Sequence, residues 1–276
     1  MRVSHVSSAR EFLAATHAYR SRDPLRTNLI GSIAEGVVQG RRYVSESWTV
    51  VTQGADVVAA AVRTAPHSLV LGPMWPDVAP TLARHLAAVA REAPGVSGPE
   101  TAVCAFLQEL GRPWHVDIRE VLRVLGELTP PDPMPAGALR RATDADAELL
   151  ASWHRAFLIE AGLPVPEMTS RSPRQEPGGG SLWIWEVAGE PVAMAGHAPI
   201  VRTRTATVGR IGPVYTVPAF RRRGIGAAAT SLVAGILQAE CDRIMLLADV
   251  ANATSNGVYE RLGFAAADGW LEVAFD

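Results

Sequence analysis

Arg221-Arg222-Arg223-Gly224-Ile225-Gly226 is the stretch with the plainest chemistry in this sequence. It follows a strand-like run, 208–215, and a break at Pro218, and it leads into a helix-forming run, 227–240. Glycines at 224 and 226 let the backbone approach a ligand closely and take φ values that other residues resist. A helix beginning beside them aims unpaired N–H groups and a partial positive charge at the same place. The three arginines add countercharge whose planar guanidinium matches phosphate oxygens. The chemistry implied is capture of a phosphate or diphosphate. Downstream, Asn252, Ser255 and Tyr259 are spaced so that one helix would carry all three on one face.

Holding these two features in place takes a sheet. In the second half, Thr143-Asp-Ala-Asp146 reads as a helix N-cap, with Leu149, Leu150, Trp153 and Phe157 at helical spacing after it. The Pro-, Ser-, Arg- and Gly-rich stretch 164–180 is expected to be irregular. Strands are predicted over 182–187, 191–199 and 205–215, then the glycine-spaced loop, a helix to 240, a strand over 243–249, a helix over 254–262 and a strand over 270–275. The first half gives helices over 8–19 and 27–38, strands over 43–52, 56–63 and 68–74, helices over 76–92 and 99–110, and one or two strands over 114–125. Between the halves, the proline-rich run 129–137 removes donors and fixes φ, so it reads as a linker. The two halves share one element order, which points to an internal duplication.

The second half resembles the GNAT superfamily of acetyl-CoA-dependent N-acetyltransferases. Two motifs carry the resemblance: the R/Q-x-x-G-x-G/A pyrophosphate loop, here Arg221 to Gly226, and Asn252-x-x-Ser255-x-x-x-Tyr259-x-x-x-Gly263-Phe264. The resemblance implies an α/β fold with a mixed sheet, built as two GNAT-like domains in tandem, each a mostly antiparallel twisted sheet flanked by helices. Residues 1–130 would be a degenerate domain without a cofactor loop, 131–138 a linker, and 139–276 the catalytic domain binding acetyl-CoA. The cofactor's diphosphate would lie on Arg221, Arg222, Arg223, Gly224, Ile225, Gly226 and Ala227. Its pantetheine arm would pair with backbone groups around Val214, Tyr215 and Val217, where the strands splay, and Asn252 and Ser255 would contribute to its binding. Tyr259 would act as general acid toward the departing thiolate. The reaction implied is direct attack of a neutral amine of a small molecule on the thioester. Many family members place a glutamate on the strand before the loop, whereas TATVGRIGPVYT has no carboxylate. His197 is then the candidate base, with Glu160, His154 and Asp249 as further candidates.

The first half lacks both motifs. Where the loop would fall it has Trp75-Pro-Asp77-Val-Ala-Pro80, with an acid in place of arginines. A net charge of −2 gives no global attraction to nucleic acid or to a membrane, and no apolar run approaches the roughly 20 residues that span a bilayer. A cytoplasmic monomer or homodimer is expected. All 26 basic residues are arginine, which excludes a Walker A lysine and a lysine Schiff base. Cys104 and Cys241 fit no zinc or disulfide pattern and read as buried thiols. A non-catalytic acyl-CoA-binding regulatory or scaffolding protein is the alternative, and acetylation of protein lysines is a third reading.

Overall fold

The computed structural model describes residues 1–161 and 180–276. Apart from Gly180, the stretch expected to be irregular lies outside the described residues. The chain runs β1 (Arg2–Val6), α1 (Ala9–Ala15), α2 (His17–Arg22), α3 (Asn28–Val38), β2 (Glu46–Gln53), β3 (Asp56–Thr64), β4 (Leu69–Leu71), α4 (Ala79–Glu92), β5 (Gly95–Pro99), α5 (Glu100–Leu110) and β6 (Trp114–Leu125). It continues with β7 (Ala138–Arg141), α6 (Ala147–Glu160), β8 (Ser181–Val187), β9 (Glu190–His197), β10 (Val201–Arg202), β11 (Thr207–Thr216), α7 (Ile225–Gln238), β12 (Arg243–Asp249), α8 (Ala253–Arg261) and β13 (Phe264–Phe275). Both halves follow a similar plan: a strand, one to three helices, three or four strands, then helix, strand, helix and strand. No described helix is long and apolar enough to cross a membrane.

The chain forms two compact units, and their borders are not those of the proline-rich run. One comprises 1–121, 201–206 and 268–276; the other comprises 122–200 and 207–267. The expected division at 131–138 therefore differs from the units at three places: 122–130 cluster with the second unit, while 201–206 and the last nine residues cluster with the first. The reason is strand pairing, since Trp270–Ala274 of β13 runs antiparallel to Pro99–Gly95 of β5.

In the first unit the strands lie in the order β1-β2-β3-β4-β5-β13, all antiparallel except the β4/β5 pair. Leu71, Leu82, Val96, Phe106 and Leu271 fill one face; Phe12, Ile30, Trp48 and Val62 fill the other. The sequence conceals β5 because its Gly and Pro residues read as the end of a helix. Backbone crowding demands them: a Cβ on Gly95 would overlap the Val273 carbonyl, and one on Gly98 would sit 2.8 Å from the Leu71 carbonyl oxygen. The expected helix 8–19 splits at Thr16, whose hydroxyl donates back to the Phe12 carbonyl at 2.6 Å. Cys104 is exposed, contrary to its reading as a buried thiol, and Cys241 is half-buried.

In the second unit the order is β12-β11-β9-β8-β7, with only β11/β12 parallel. α6 lays Leu150 and Trp153 on the face formed by Leu182, Ile184, Met194 and Tyr215. It begins where Thr143 and Asp146 make the anticipated capping box, and Arg140 pairs with both Asp146 and Glu186. Trp183, Ile184 and Trp185 are core residues, and Trp185 Nε1 donates to the Ala136 carbonyl at 3.1 Å, closing the proline-rich segment onto β8.

Candidate functional site

The loop after β11 has the backbone that anion binding requires. Pro218–Phe220 form a 3₁₀ turn, Arg222 takes φ 60° and Gly224 takes φ 77°, so the chain passes twice through the left-handed region before α7 begins. The first helical bond of α7 is Ala228 N–H to the Gly224 carbonyl at 2.9 Å, which leaves the N–H groups of Ile225, Gly226 and Ala227 without intrahelical acceptors. No side chain caps this N-terminus. A Cβ on Gly226 would meet only Thr216 Oγ1, at 3.5 Å, so the glycine is not required by packing within the protein.

The three arginines divide their work. Arg221 turns back into the protein: its Nε donates to the Thr216 carbonyl at 2.8 Å, its Nη2 reaches both Glu160 oxygens at 2.9 and 2.7 Å, and its guanidinium lies 5.4 Å from the Tyr215 ring centre. Arg221 is therefore an anchor of the loop. Arg223 donates to the Ala219 carbonyl and stacks on Phe220. Arg222 is exposed and its side chain has no partner among the described residues. Because Glu160 brings a negative charge to the loop, Glu160→Gln is expected to tighten binding of a diphosphate ligand about two- to threefold at low ionic strength, with the gain fading as salt is raised. Calorimetry at two salt concentrations reads this; weaker binding would mean that the hold on Arg221 outweighs the charge.

β11 pairs with β12 only through Val208–Arg210 against Arg243–Met245. Beyond that point the two parallel strands are no longer paired, and a bulge between Ile211 and Val214 carries Pro213, which supplies no N–H. On its other edge β11 stays paired with β9, at Val214↔Ala195, Tyr215↔Met194 and Thr216↔Ala193. The Val217 N–H donates to the Val192 carbonyl, and the Val217 carbonyl accepts from Phe220. By the alternation of an antiparallel ladder, Tyr215 also points its backbone groups at β9, whereas Val214 and Thr216 point theirs at the opening. Val214 and the Thr216 N–H thus face the opening, the Thr216 carbonyl is already taken by Arg221 Nε, and Tyr215 and Val217 of the expected set turn toward β9.

On α8, Asn252 is the N-cap. Its Oδ1 accepts from Ser255 N–H at 3.0 Å, so its side chain serves the helix. Tyr259 packs edge-on against Phe264, ring centres 6.2 Å apart, and its hydroxyl has no hydrogen-bond partner among the described residues. Burial pushes the phenol up to about 12.

The four candidate bases are not gathered around Tyr259. His197 is paired opposite Ile211, on the strand at the edge of β11 away from the opening; its ring packs on Trp183 and its Nδ1 lies 2.7 Å from the Ala198 carbonyl. Burial lowers its pKa, with Glu240 beyond the end of α7 opposing that shift. Glu160 is taken by Arg221, and His154 stacks on Phe157. Asp249 Oδ1 accepts from Ala251 N–H, closing the turn before α8.

In the first unit β4 and β5 pair at Leu69↔Val96 and Val70↔Ser97, and a Cβ on Gly98 would sit 2.8 Å from the Leu71 carbonyl oxygen, so the two strands stay close as far as Leu71. At the end of β4 the buried Tyr19 hydroxyl donates to the Pro73 carbonyl at 2.6 Å and occupies the space beside Gly72.

The acetyltransferase (GNAT) family model matches residues 147–264. Comparison with curated proteins gave no match. Among solved structures, a GCN5-related N-acetyltransferase from Kribbella flavida is 18% identical over 91% of this chain and 95% of that one, with a TM-score of 0.59. A GNAT-family acetyltransferase from Colwellia psychrerythraea is 10% identical with both chains covered in full (100% and 100%) and a TM-score of 0.60. A tandem GNAT protein from the clavulanic acid biosynthesis pathway is 12% identical, covering 99% of this chain and 98% of that one, with a TM-score of 0.63. At such identities the likeness is one of fold. Residues 147–264, which hold the loop, the opening and Tyr259, are a domain of the acetyltransferase (GNAT) family, in a chain that shares its fold over its whole length with a tandem GNAT protein.

Proposed function

We propose that this acyltransferase moves an acetyl group from acetyl-CoA to a primary amine of a small molecule by direct attack. The observation that carries the reading is the opening beside β11, where the backbone groups of Val214 and the Thr216 N–H lead toward the uncapped start of α7. A ligand with a diphosphate at one end and amides along an extended arm matches that edge: the arm adds to the strand, and the diphosphate meets the helix N-terminus. Arg222 supplies countercharge, while Arg221 holds the loop against α6 through Glu160. Acetyl-CoA bound there supplies the thioester. Tyr259 donates a hydrogen bond toward the sulfur side of the opening, and the left-handed turns at 222 and 224 fix the direction of the loop's N–H groups.

The acceptor must be neutral to attack. With no described imidazole or carboxylate in contact with Tyr259, its proton passes to solvent. The expected result is an acid limb of kcat/KM that tracks the acceptor's own amine pKa across a panel of amines and survives His197→Gln. If His197 is the base, it works only when neutral, so the limb would lie below 6.5 for every amine and would vanish in the variant.

Thiol release from acetyl-CoA with an amine panel tests the activity itself. Coenzyme A binding without release on any acceptor, unchanged by Tyr259→Phe, would leave the non-catalytic binding reading in its place. Calorimetry is expected to give one coenzyme A per chain, because the first unit has Trp75-Pro76-Asp77-Val78-Ala79-Pro80 where the second has its arginine and glycine loop. A second site of similar affinity would contradict the reading of the first unit as degenerate.

A further inference from the structure

We propose that Arg123, from the strand preceding the proline-rich segment, is the positioning residue for Tyr259. The inference rests on the reading of Tyr259 given above. The Arg123 side chain is only 7% exposed, and all of its guanidinium nitrogens are engaged. Nε donates to Asn256 Oδ1 at 3.1 Å, Nη2 to Glu260 Oε1 at 2.8 Å, and Nη1 to the Phe264 carbonyl at 3.3 Å.

All three acceptors belong to residues within five positions of Tyr259 in the chain. Asn256 and Glu260 are four apart, on one side of α8, and Tyr259 lies between them in sequence. Phe264 is the ring against which the Tyr259 phenol packs. One planar cation therefore fixes both the helix that carries the phenol and the strand start that supports it. The grip extends further, because Asn256 Nδ2 donates to the carbonyls of Asp249 at 2.7 Å and Asn252 at 2.9 Å, which joins Arg123 to the end of β12 and to the cap of α8.

α8 depends on this arrangement more than an ordinary helix would. None of its residues is fully buried, so apolar packing, chiefly the Tyr259 ring on Phe264, sets its depth and rotation less firmly than it would for a core helix. A helix seated on polar contacts takes its orientation from the group that makes them, and arginine's rigid fork suits three acceptors in fixed directions. The neighbouring backbone reinforces the seat: Gly126 N–H donates to the Gly263 carbonyl at 2.9 Å, and Thr129 N–H to the Leu262 carbonyl at 3.1 Å. Among the described residues, none of the hydrogen bonds of Arg123 goes to the loop or to Val214 and Thr216. Its effect on turnover would pass through Tyr259.

A double-mutant cycle on the full chain tests this. Arg123→Met is expected to lower kcat with acetyl-CoA and the amine that turns over fastest by about tenfold or more, since small displacements of a positioned group cost that much, with KM for acetyl-CoA within about threefold of wild type. Arg123→Lys should recover part of the loss. In the Tyr259→Phe background, Arg123→Met should cost less than about twofold, the mark of two residues acting through one contact. Independently of activity, the tyrosinate absorbance that Tyr259→Phe removes should titrate at lower pH when Arg123 is methionine, because the phenol is less completely withdrawn from water. Equal losses in both backgrounds, or an unmoved tyrosinate titration, would overturn the proposal and make Arg123 a general stabiliser. If Tyr259→Phe alone leaves kcat unchanged, the catalytic reading of Tyr259 fails, and the titration still decides whether Arg123 sets the phenol's surroundings. Should Arg123→Met not fold, Asn256→Ala, which keeps the bonds to Glu260 and Phe264, is read by the same cycle.

Discussion

Gly224→Asp is expected to weaken coenzyme A binding by at least tenfold, ~1.4 kcal/mol, when measured by calorimetry at moderate salt. Two effects act together and can be separated. Gly224 has φ 77°, a region that most side chains enter at a cost but that Asn and Asp tolerate. The space is open, the nearest atom to an added Cβ being Pro135 Cγ at 4.0 Å, so no clash within the protein confuses the result. Gly224→Asn has the same shape without the charge and should bind within about threefold of wild type, whereas Gly224→Asp adds an anion where the uncapped N–H groups of Ile225, Gly226 and Ala227 offer positive potential. Gly224→Ala reports the backbone cost alone. Equal affinities of the Asp and Asn variants would sink the assignment of the loop to a diphosphate; equal and large losses in all three would show that conformation alone is being read.

The loop was legible in the sequence because its chemistry is local: arginines, glycine spacing and a following helix say what the backbone will do within six residues. What the sequence could not give is which groups are already spent. Arg221 reads as a phosphate ligand until Glu160, sixty-one positions earlier, is seen to hold it. Tyr215 and Val217 read as free edge until the ladder to β9 decides the parity of β11. Asn252 shares the motif's helix face with Tyr259, yet its side chain closes the helix.

The domain border was hidden for a related reason. Four prolines within 129–137 mark a real interruption of regular structure, but strand pairing ignores it. The last nine residues complete the first unit through β5, whose glycines concealed it as a strand, and 122–130 belong with the second. Arg123 carried no signal at all. A lone arginine in a strand-like run looks like a solvated side chain, and only the fold shows that its acceptors lie more than a hundred and thirty positions downstream, around the residue the motif had singled out.

Tyr259→Phe is expected to lower kcat by about thirty- to a hundredfold while leaving KM for acetyl-CoA within about threefold, the pattern of an interaction made chiefly as charge develops. The size follows from a hydrogen bond to a charged acceptor, about 2–3 kcal/mol in a site withdrawn from water. Its pKa, pushed up to about 12 by burial, sharpens the role. A thiol ionises near 8.5, so full transfer of the phenol's proton to a thiolate would run uphill by roughly 3.5 units, about 4.8 kcal/mol. Tyr259 is therefore best suited to donate a hydrogen bond to the sulfur as it gains charge, with complete transfer waiting on the positive charge that the attacking amine acquires. The active form is the protonated one, present at every pH below the phenol's own pKa and lost only as pH rises through about 12. No alkaline limb from Tyr259 should appear in kcat between pH 7 and about 10, and wild type and Tyr259→Phe should run parallel there. An alkaline limb near 8 or 9 present in wild type and absent from Tyr259→Phe would show instead a phenol of ordinary or lowered pKa that delivers its proton outright, and an unchanged kcat would reduce Tyr259 to a packing residue between α8 and Phe264.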